Sequence, residues 1–147
     1  MRQILYLLFL FFGLAVAEAK EPFGNYPLPS NPDTLRILAV GNSFSDDGTE
    51  YLPGLLESAG IHNVIVARLY IGGCSLERHC DEYAKGLNNY VYYKSTDNSW
   101  KTVSRNATLL DGLKDEPWDI ITIQETSGHS GTYETYKEWI PRLVSII

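Results

Sequence analysis

A short apolar run rich in branched residues, residues 35–40, ends abruptly at Gly41, and this junction constrains the fold most strongly. Such a run predicts a buried strand. Small polar residues and then an amphipathic segment follow, which gives the order strand, tight turn, helix. In an open α/β sheet, ligands bind in the crevice at the carboxyl ends of the strands. Ser43 lies at such an end, close to helix N–H groups that could stabilise an oxyanion, and is therefore our candidate nucleophile.

Two further apolar runs, residues 64–70 and 118–123, predict a second and a third buried strand. Gly72 and Gly73 follow the first of these runs, and a polar loop that begins at Gln124 follows the other. If the strands are parallel, joined by right-handed crossovers, their polar loops meet at one edge of the sheet. The loops then bring together a hydroxyl, glycine N–H groups and a side-chain amide. These groups are the parts of an acyl-transfer site.

The remaining patterns predict helices and one hairpin. Apolar residues at helical spacing predict helices over residues 49–59, 76–87 and 107–114, and another that begins at Tyr133. Residues 90–94 and 100–104 flank a polar turn and predict a hairpin on the surface.

Three residues qualify the predicted helix boundaries. Gly60 is expected to stop the first helix, whereas Pro53 is compatible with that helix only in its first turn. Asn106 begins an N-glycosylation pattern and could equally cap the following helix, and we predict the cap.

The N-terminal residues have the pattern of a secretory signal peptide. A basic start precedes the apolar run 4–16, and small residues on either side of residues 16 and 18 fit the cleavage rule. The run is shorter than the about 20 residues that span a bilayer, and a retained anchor is the alternative. We predict a signal peptide over 1–19, an extended proline-rich leader over 20–34 and one partial domain over 35–147. The protein is expected to be secreted or periplasmic, without stable membrane insertion after cleavage.

Composition excludes some partners and leaves the cysteines open. The net charge of −6 and the absence of a Lys/Arg cluster argue against a nucleic-acid partner. Cys74 and Cys80 could form a disulfide if the preceding turn brings them together, or remain thiols. A zinc site formed by these thiols and His79 is disfavoured because no second ligand pair follows. We expect neither a metal nor an organic cofactor.

The motif Ile-Leu-Ala-Val-Gly-Asn-Ser-Phe-Ser at residues 37–45 resembles the first block of the SGNH, or GDSL-type, hydrolase superfamily. The chain looks most similar to a group of secreted bacterial SGNH-like proteins of undefined function. This resemblance implies a three-layer α/β/α sandwich with a parallel sheet, of the flavodoxin-like type. It also implies that Ser43 is the nucleophile and an oxyanion donor. Gly73, with Gly72 as the alternative, would supply the next donor.

Two family elements differ. The family has Gly-x-Asn-Asp after the third strand, whereas this chain continues with Gln124 and Glu125; Gln124 could supply the amide donor. The Asp-x-x-His that the family places near its C-terminus is missing, and we expect the chain to be truncated before it. The histidines of this chain are poor substitutes for the missing base. His62 is predicted at the opposite end of the sheet and His79 at the surface. His129 lies on the correct side of the sheet, but on a polar loop, and is a minor candidate.

The sequence therefore predicts a serine ester hydrolase whose substrate is a small-molecule or carbohydrate ester. The expected reaction is the removal of acyl groups from carbohydrate. The residues expected to contact substrate are Asn42, Gly72, Glu125 and His129. The alternative is a non-catalytic glycan-binding module that uses hairpin aromatics, although packing of these rings on the sheet is the simpler interpretation: Tyr90, Tyr92, Tyr93 and Trp100. A nucleotide-binding domain is disfavoured because no Gly-x-Gly-x-x-Gly follows a strand.

Overall fold

The three apolar runs form neighbouring parallel strands in the computed structural model, which describes residues 34–147. β1 (Leu35–Gly41) pairs along its whole length with β2 (Val64–Tyr70), from Leu35 opposite Val64 to Gly41 opposite Tyr70. β5 (Ile120–Ile123) pairs with the other side of β1. The carboxyl ends of all three strands therefore lie at one edge of the sheet, with that of β1 in the middle.

The predicted hairpin extends this sheet. β3 (Tyr90–Thr96) and β4 (Ser99–Ala107) are antiparallel to each other, and β3 is also antiparallel to β2. The strand order is β4-β3-β2-β1-β5, so the sheet is mixed and the prediction of a parallel sheet is wrong for this half. At the hairpin tip, Asp97 and Asn98 both have positive φ, as the favoured two-residue hairpin turns require.

In the described part of the chain, five helices flank the sheet: α1 (Ser43–Thr49), α2 (Leu52–Ser58), α3 (Leu76–Ala84), α4 (Leu109–Asp115) and α5 (Tyr133–Val144). The first predicted helix is thus shorter than expected, and α1 precedes it. Pro53 lies in the first turn of α2, and Gly60 follows the end of α2 with a positive φ, as the sequence predicted. Pro141 lies inside α5.

Neighbouring residues of β2 show that helices lie on both faces of the sheet, because successive side chains of a strand point to opposite sides. Arg68 reaches Asp46 of α1, whereas Leu69 packs against Gly112 of α4. The main hydrophobic core lies on the Leu69 side. It contains Leu38, Val40, Ala67, Leu69, Ile71, Cys74, Tyr90, Tyr92, Ala107 and Leu109.

Two local predictions are corrected by the structure. The cap of α4 is Thr108, whose hydroxyl accepts from the Asp111 N–H while the Asp111 carboxylate accepts from the Thr108 N–H; Asn106 lies within β4. The third strand is not fully buried, because β5 is at the edge of the sheet and Ile120 is 37% exposed.

The predicted signal peptide, and the leader up to residue 33, lie outside the described residues. Within residues 34–147, none of the helices has the length and apolar character needed to cross a bilayer.

Candidate functional site

Ser43 lies at the carboxyl end of the central parallel strand. It is the first residue of α1, two residues after the end of β1, and it is exposed to solvent. The N–H of a first helical residue has no acceptor within its helix. The structure therefore presents both a hydroxyl and a backbone donor at the position that the sequence indicated.

The side chain of Asn42 ties the three strand-end loops together. Its Nδ2 donates to the carbonyl oxygens of Cys74, at 3.0 Å, and Glu125, at 3.3 Å, while its Oδ1 accepts from the Phe44 N–H. Asn42 is only 1% exposed. Its predicted contact with substrate stays a prediction, but this geometry gives it a positioning role.

The glycine loop after β2 supplies further backbone donors. Gly72 and Gly73 are exposed, and neither N–H has a hydrogen-bond acceptor among the described residues. Gly73 has a φ of +61°, in the left-handed region that glycine adopts without steric cost. Because Gly73 precedes Cys74, the bond from Asn42 to Cys74 fixes this loop next to Ser43.

Gln124 faces the segment that carries Ser43. Its Oε1 accepts from the Ser45 hydroxyl at 2.6 Å, which leaves the Nε2 end of the amide as its free donor. Gly41 is required here by space, because a Cβ at this position would collide with the Ser45 side chain. Ser45 is therefore engaged in positioning, and the structure gives it no separate nucleophilic role.

Glu125 connects the loop after β5 to the start of α3. One carboxylate oxygen, Oε1, accepts from the N–H groups of Leu76 and Thr126 at 3.2 and 2.7 Å. The other oxygen, Oε2, is buried without a hydrogen-bond partner among the described residues. Leu76 begins α3, so this carboxylate holds the start of that helix next to the third loop.

The three histidines lie in different environments. His62 lines a pocket at the amino ends of β1 and β2, at the opposite end of the sheet from Ser43, as predicted. His129 is exposed on the loop after β5. The prediction of a surface His79 is wrong: it is 0% exposed, and its Nδ1 lies 2.7 Å from the Tyr90 hydroxyl.

Burial changes the titration of the group of side chains around His79. It lowers the pKa of His79 to about 4, with a smaller contribution from the charge of Arg78. Burial raises the pKa of the Cys74 thiol to about 12. Cys74 and Cys80 are both free thiols, which answers the question that the sequence left open. These values make Cys74 a poor nucleophile and leave His79 uncharged near neutral pH.

Sequence reasoning missed the role of Arg68. Its guanidinium pairs with Asp46 at 2.8 Å and Glu50 at 2.7 Å, and it stacks on the Trp100 ring with 3.5 Å to the centroid. A lone arginine in an apolar strand, with acidic residues about 20 positions earlier in the chain, was the available signal. The contact joins the hairpin to the segment that carries Ser43.

The hairpin aromatics are engaged in packing. Tyr90 and Tyr92 are buried in the core, and Tyr93 and Trp100 both pack on Arg68. This arrangement favours the interpretation in which the rings pack on the sheet.

Among residues 34–147, no cluster of three or more metal-ligating side chains occurs.

Comparisons with known proteins place the chain in a family. Residues 36–147 match the model described as domain of unknown function DUF4886. A solved DUF4886 family protein from Bacteroides uniformis is 42% identical and aligns with a TM-score of 0.72. The alignment covers 78% of this chain and 44% of that one, so the chain spans less than half the length of this relative. The comparison with curated proteins found no match.

Proposed function

The chain belongs to the DUF4886 family, and we propose that it is the nucleophile-bearing part of a serine ester hydrolase of the SGNH type. Ser43 attacks the ester carbonyl, and its own N–H, the Gly73 N–H and the Gln124 amide hold the oxyanion. Attack forms the bond from Ser43 Oγ to the carbonyl carbon and expels the alcohol, which leaves an acyl-serine that water then hydrolyses.

The Asn42 amide is the observation that carries this proposal. Its Nδ2 bonds to Cys74 and Glu125, and each of these residues directly follows a proposed oxyanion donor. Asn42 itself directly precedes Ser43. One buried side chain thus fixes the relative positions of the nucleophile and both donors, and preorganised donors are a major source of catalysis in acyl transfer.

The proposal also requires a base, because a serine hydroxyl is a weak nucleophile without one. The imidazole of His62 is at the wrong end of the sheet, and that of His79 is buried against Tyr90. We therefore propose that a histidine outside residues 34–147 takes the proton, as in the Asp-x-x-His of the SGNH superfamily. His129 is the alternative within the described residues.

The test is hydrolysis of p-nitrophenyl acetate by the full-length gene product, with detection of acetyl-Ser43 by mass spectrometry. Ser43→Ala is expected to abolish both turnover and acetylation. Ser58→Ala is the matched control, because Ser58 is exposed and bonds only within its own helix. Turnover that survives Ser43→Ala would refute the proposal.

A second variant identifies the base. His129→Ala is expected to retain turnover if the base lies elsewhere, and to lose it if this exposed histidine closes over Ser43. Added imidazole is expected to restore part of the activity that a missing base removes.

A further inference from the structure

A pocket of about 350 Å³ adjoins the proposed site. Its lining includes the rings of Phe44 and Tyr136, the side chain of Ile123 and the amide-bearing Gln124. Phe44 directly follows Ser43, and Gln124 is a proposed oxyanion donor, so two of the lining residues are neighbours of the proposed reacting centre. Phe44 is 53% exposed, so its ring is accessible to a ligand in the pocket.

The size of the pocket limits the group that would fill it. A volume of about 350 Å³ falls in the range of small-molecule pockets, roughly 300–1,000 Å³. A methyl group is close in size to a water molecule, whose share of liquid volume is about 30 Å³. An acetyl group would therefore leave most of the pocket empty.

Charge limits the group further. Glu125 also lines the pocket and, among residues 34–147, is the only charged residue that does so; the lining also includes the polar side chains of Gln124, Ser127 and Ser130. With a carboxylate in the lining and no basic side chain to balance it, the pocket disfavours an anionic occupant.

We propose that this pocket binds the acyl group of the ester, and that it selects uncharged acyl groups longer than acetyl. The inference rests on the proposed function, because the acyl group is the part of the substrate that stays bonded to Ser43. Burial of each additional CH₂ against Phe44 and Tyr136 favours acylation by roughly fourfold.

The experiment compares p-nitrophenyl acetate, butyrate and hemisuccinate with the full-length gene product, each rate divided by the rate of the same ester with free imidazole. The butyrate ester, which has two more CH₂ groups than the acetate, is expected to acylate Ser43 about fifteenfold faster. Hemisuccinate, whose chain has the same number of carbons as butyrate, is expected to react roughly tenfold more slowly than butyrate. The ring deletions Phe44→Ala and Tyr136→Ala should each reduce the preference for butyrate over acetate.

Tyr133→Ala is the matched control for the ring deletions, because Tyr133 is exposed on α5 but does not line the pocket. Acylation of Ser43 with equal normalised rates for acetate and butyrate would overturn the inference and leave the proposed function standing. Absence of acyl-Ser43 with every ester would overturn both.

Discussion

The amide of Asn42 is fully used: its oxygen accepts one N–H, and its two hydrogens go to two carbonyl oxygens of different loops. An amide can do this, whereas a carboxylate of the same shape cannot, because it has no hydrogen to donate. The difference between Gly-Asn-Ser here and the Gly-Asp-Ser of the SGNH motif therefore has a physical consequence at this residue.

Asn42→Asp is expected to lower the free energy of unfolding by about 2 to 4 kcal/mol. The carboxylate leaves the buried carbonyl oxygens of Cys74 and Glu125 without donors and places negative charge against both. Urea unfolding at pH 7 measures the change. Asn88→Asp, on an exposed loop, makes the same chemical change and should stay within about 0.5 kcal/mol of the wild type. Equal effects of the two substitutions would contradict this account of Asn42.

At the scale of elements, α4 approaches β2 closely because it presents a glycine. A Cβ at Gly112 would lie 2.5 to 2.8 Å from the Leu69 side chain, too close for any real contact. The same helix is fixed at its start by the capping box of Thr108 and Asp111. The position of α4 on the sheet therefore depends on the absence of one methyl group.

Gly112→Ala is expected to destabilise the protein by about 1 to 3 kcal/mol, because overpacking outweighs the gain in helix propensity. Gly54→Ala is the matched control: Gly54 lies in α2 with no atom within 4 Å of its ideal Cβ. This second substitution should stabilise by roughly 0.5 to 1 kcal/mol. Thermal unfolding of both variants shows whether each substitution raises or lowers the stability. A stabilising effect of Gly112→Ala would show that the Leu69 side chain moves without cost to accommodate the added methyl group.

The elements that the sequence predicted best are those whose apolar content determines them. β2 has the predicted bounds and β1 differs by one residue, because branched apolar runs between breakers have few alternatives. α1 was not predicted, since its sequence SFSDDGT has no apolar periodicity. Two hydrogen bonds hold it instead: the Phe44 N–H donates to Asn42 Oδ1, and the Thr49 hydroxyl donates to the Ser45 carbonyl oxygen. The Thr108 cap could have been found, because Asp111 three residues later completes a known signature.

At the scale of the whole molecule, the burial of His79 links stability to pH. Its pKa is about 4 in the folded chain and near 6.5 when unfolded, so the unfolded state binds the proton first as pH falls. Stability is unaffected by this residue above pH 6.5 and decreases between pH 6.5 and 4. The loss at pH 4 is about 3 kcal/mol.

The measurement is the free energy of unfolding in urea at several values between pH 7 and pH 4. The variant His79→Gln is expected to show a shallower decrease than the wild type over this window. His62→Gln, at an exposed position, should keep the wild-type dependence. Identical slopes for wild type and His79→Gln would show that this imidazole is not the group responsible.

The site could be predicted only in part, for a reason that also concerns the whole molecule. Ser43, Gly73 and Gln124 follow three strands, and their meeting at one edge depends only on parallel order, which the sequence supports. The burial of His79, and the ion pairs and ring contact of Arg68, depend on which distant elements of the fold cover these two side chains. A single histidine or arginine in a sequence carries no record of such coverage.

The contact between Arg68 and Trp100 has a consequence for how relatives of this protein can diverge. The tryptophan comes from the antiparallel strand pair and the arginine from the parallel half. The two acids come from α1 and the residue that directly follows it. Recombination could join the strand pair of one ancestor to the parallel half of another. Such a chain must keep all four side chains of this contact together. A chain that inherits the arginine alone would have a guanidinium without its aromatic cover, next to the helix that begins at Ser43.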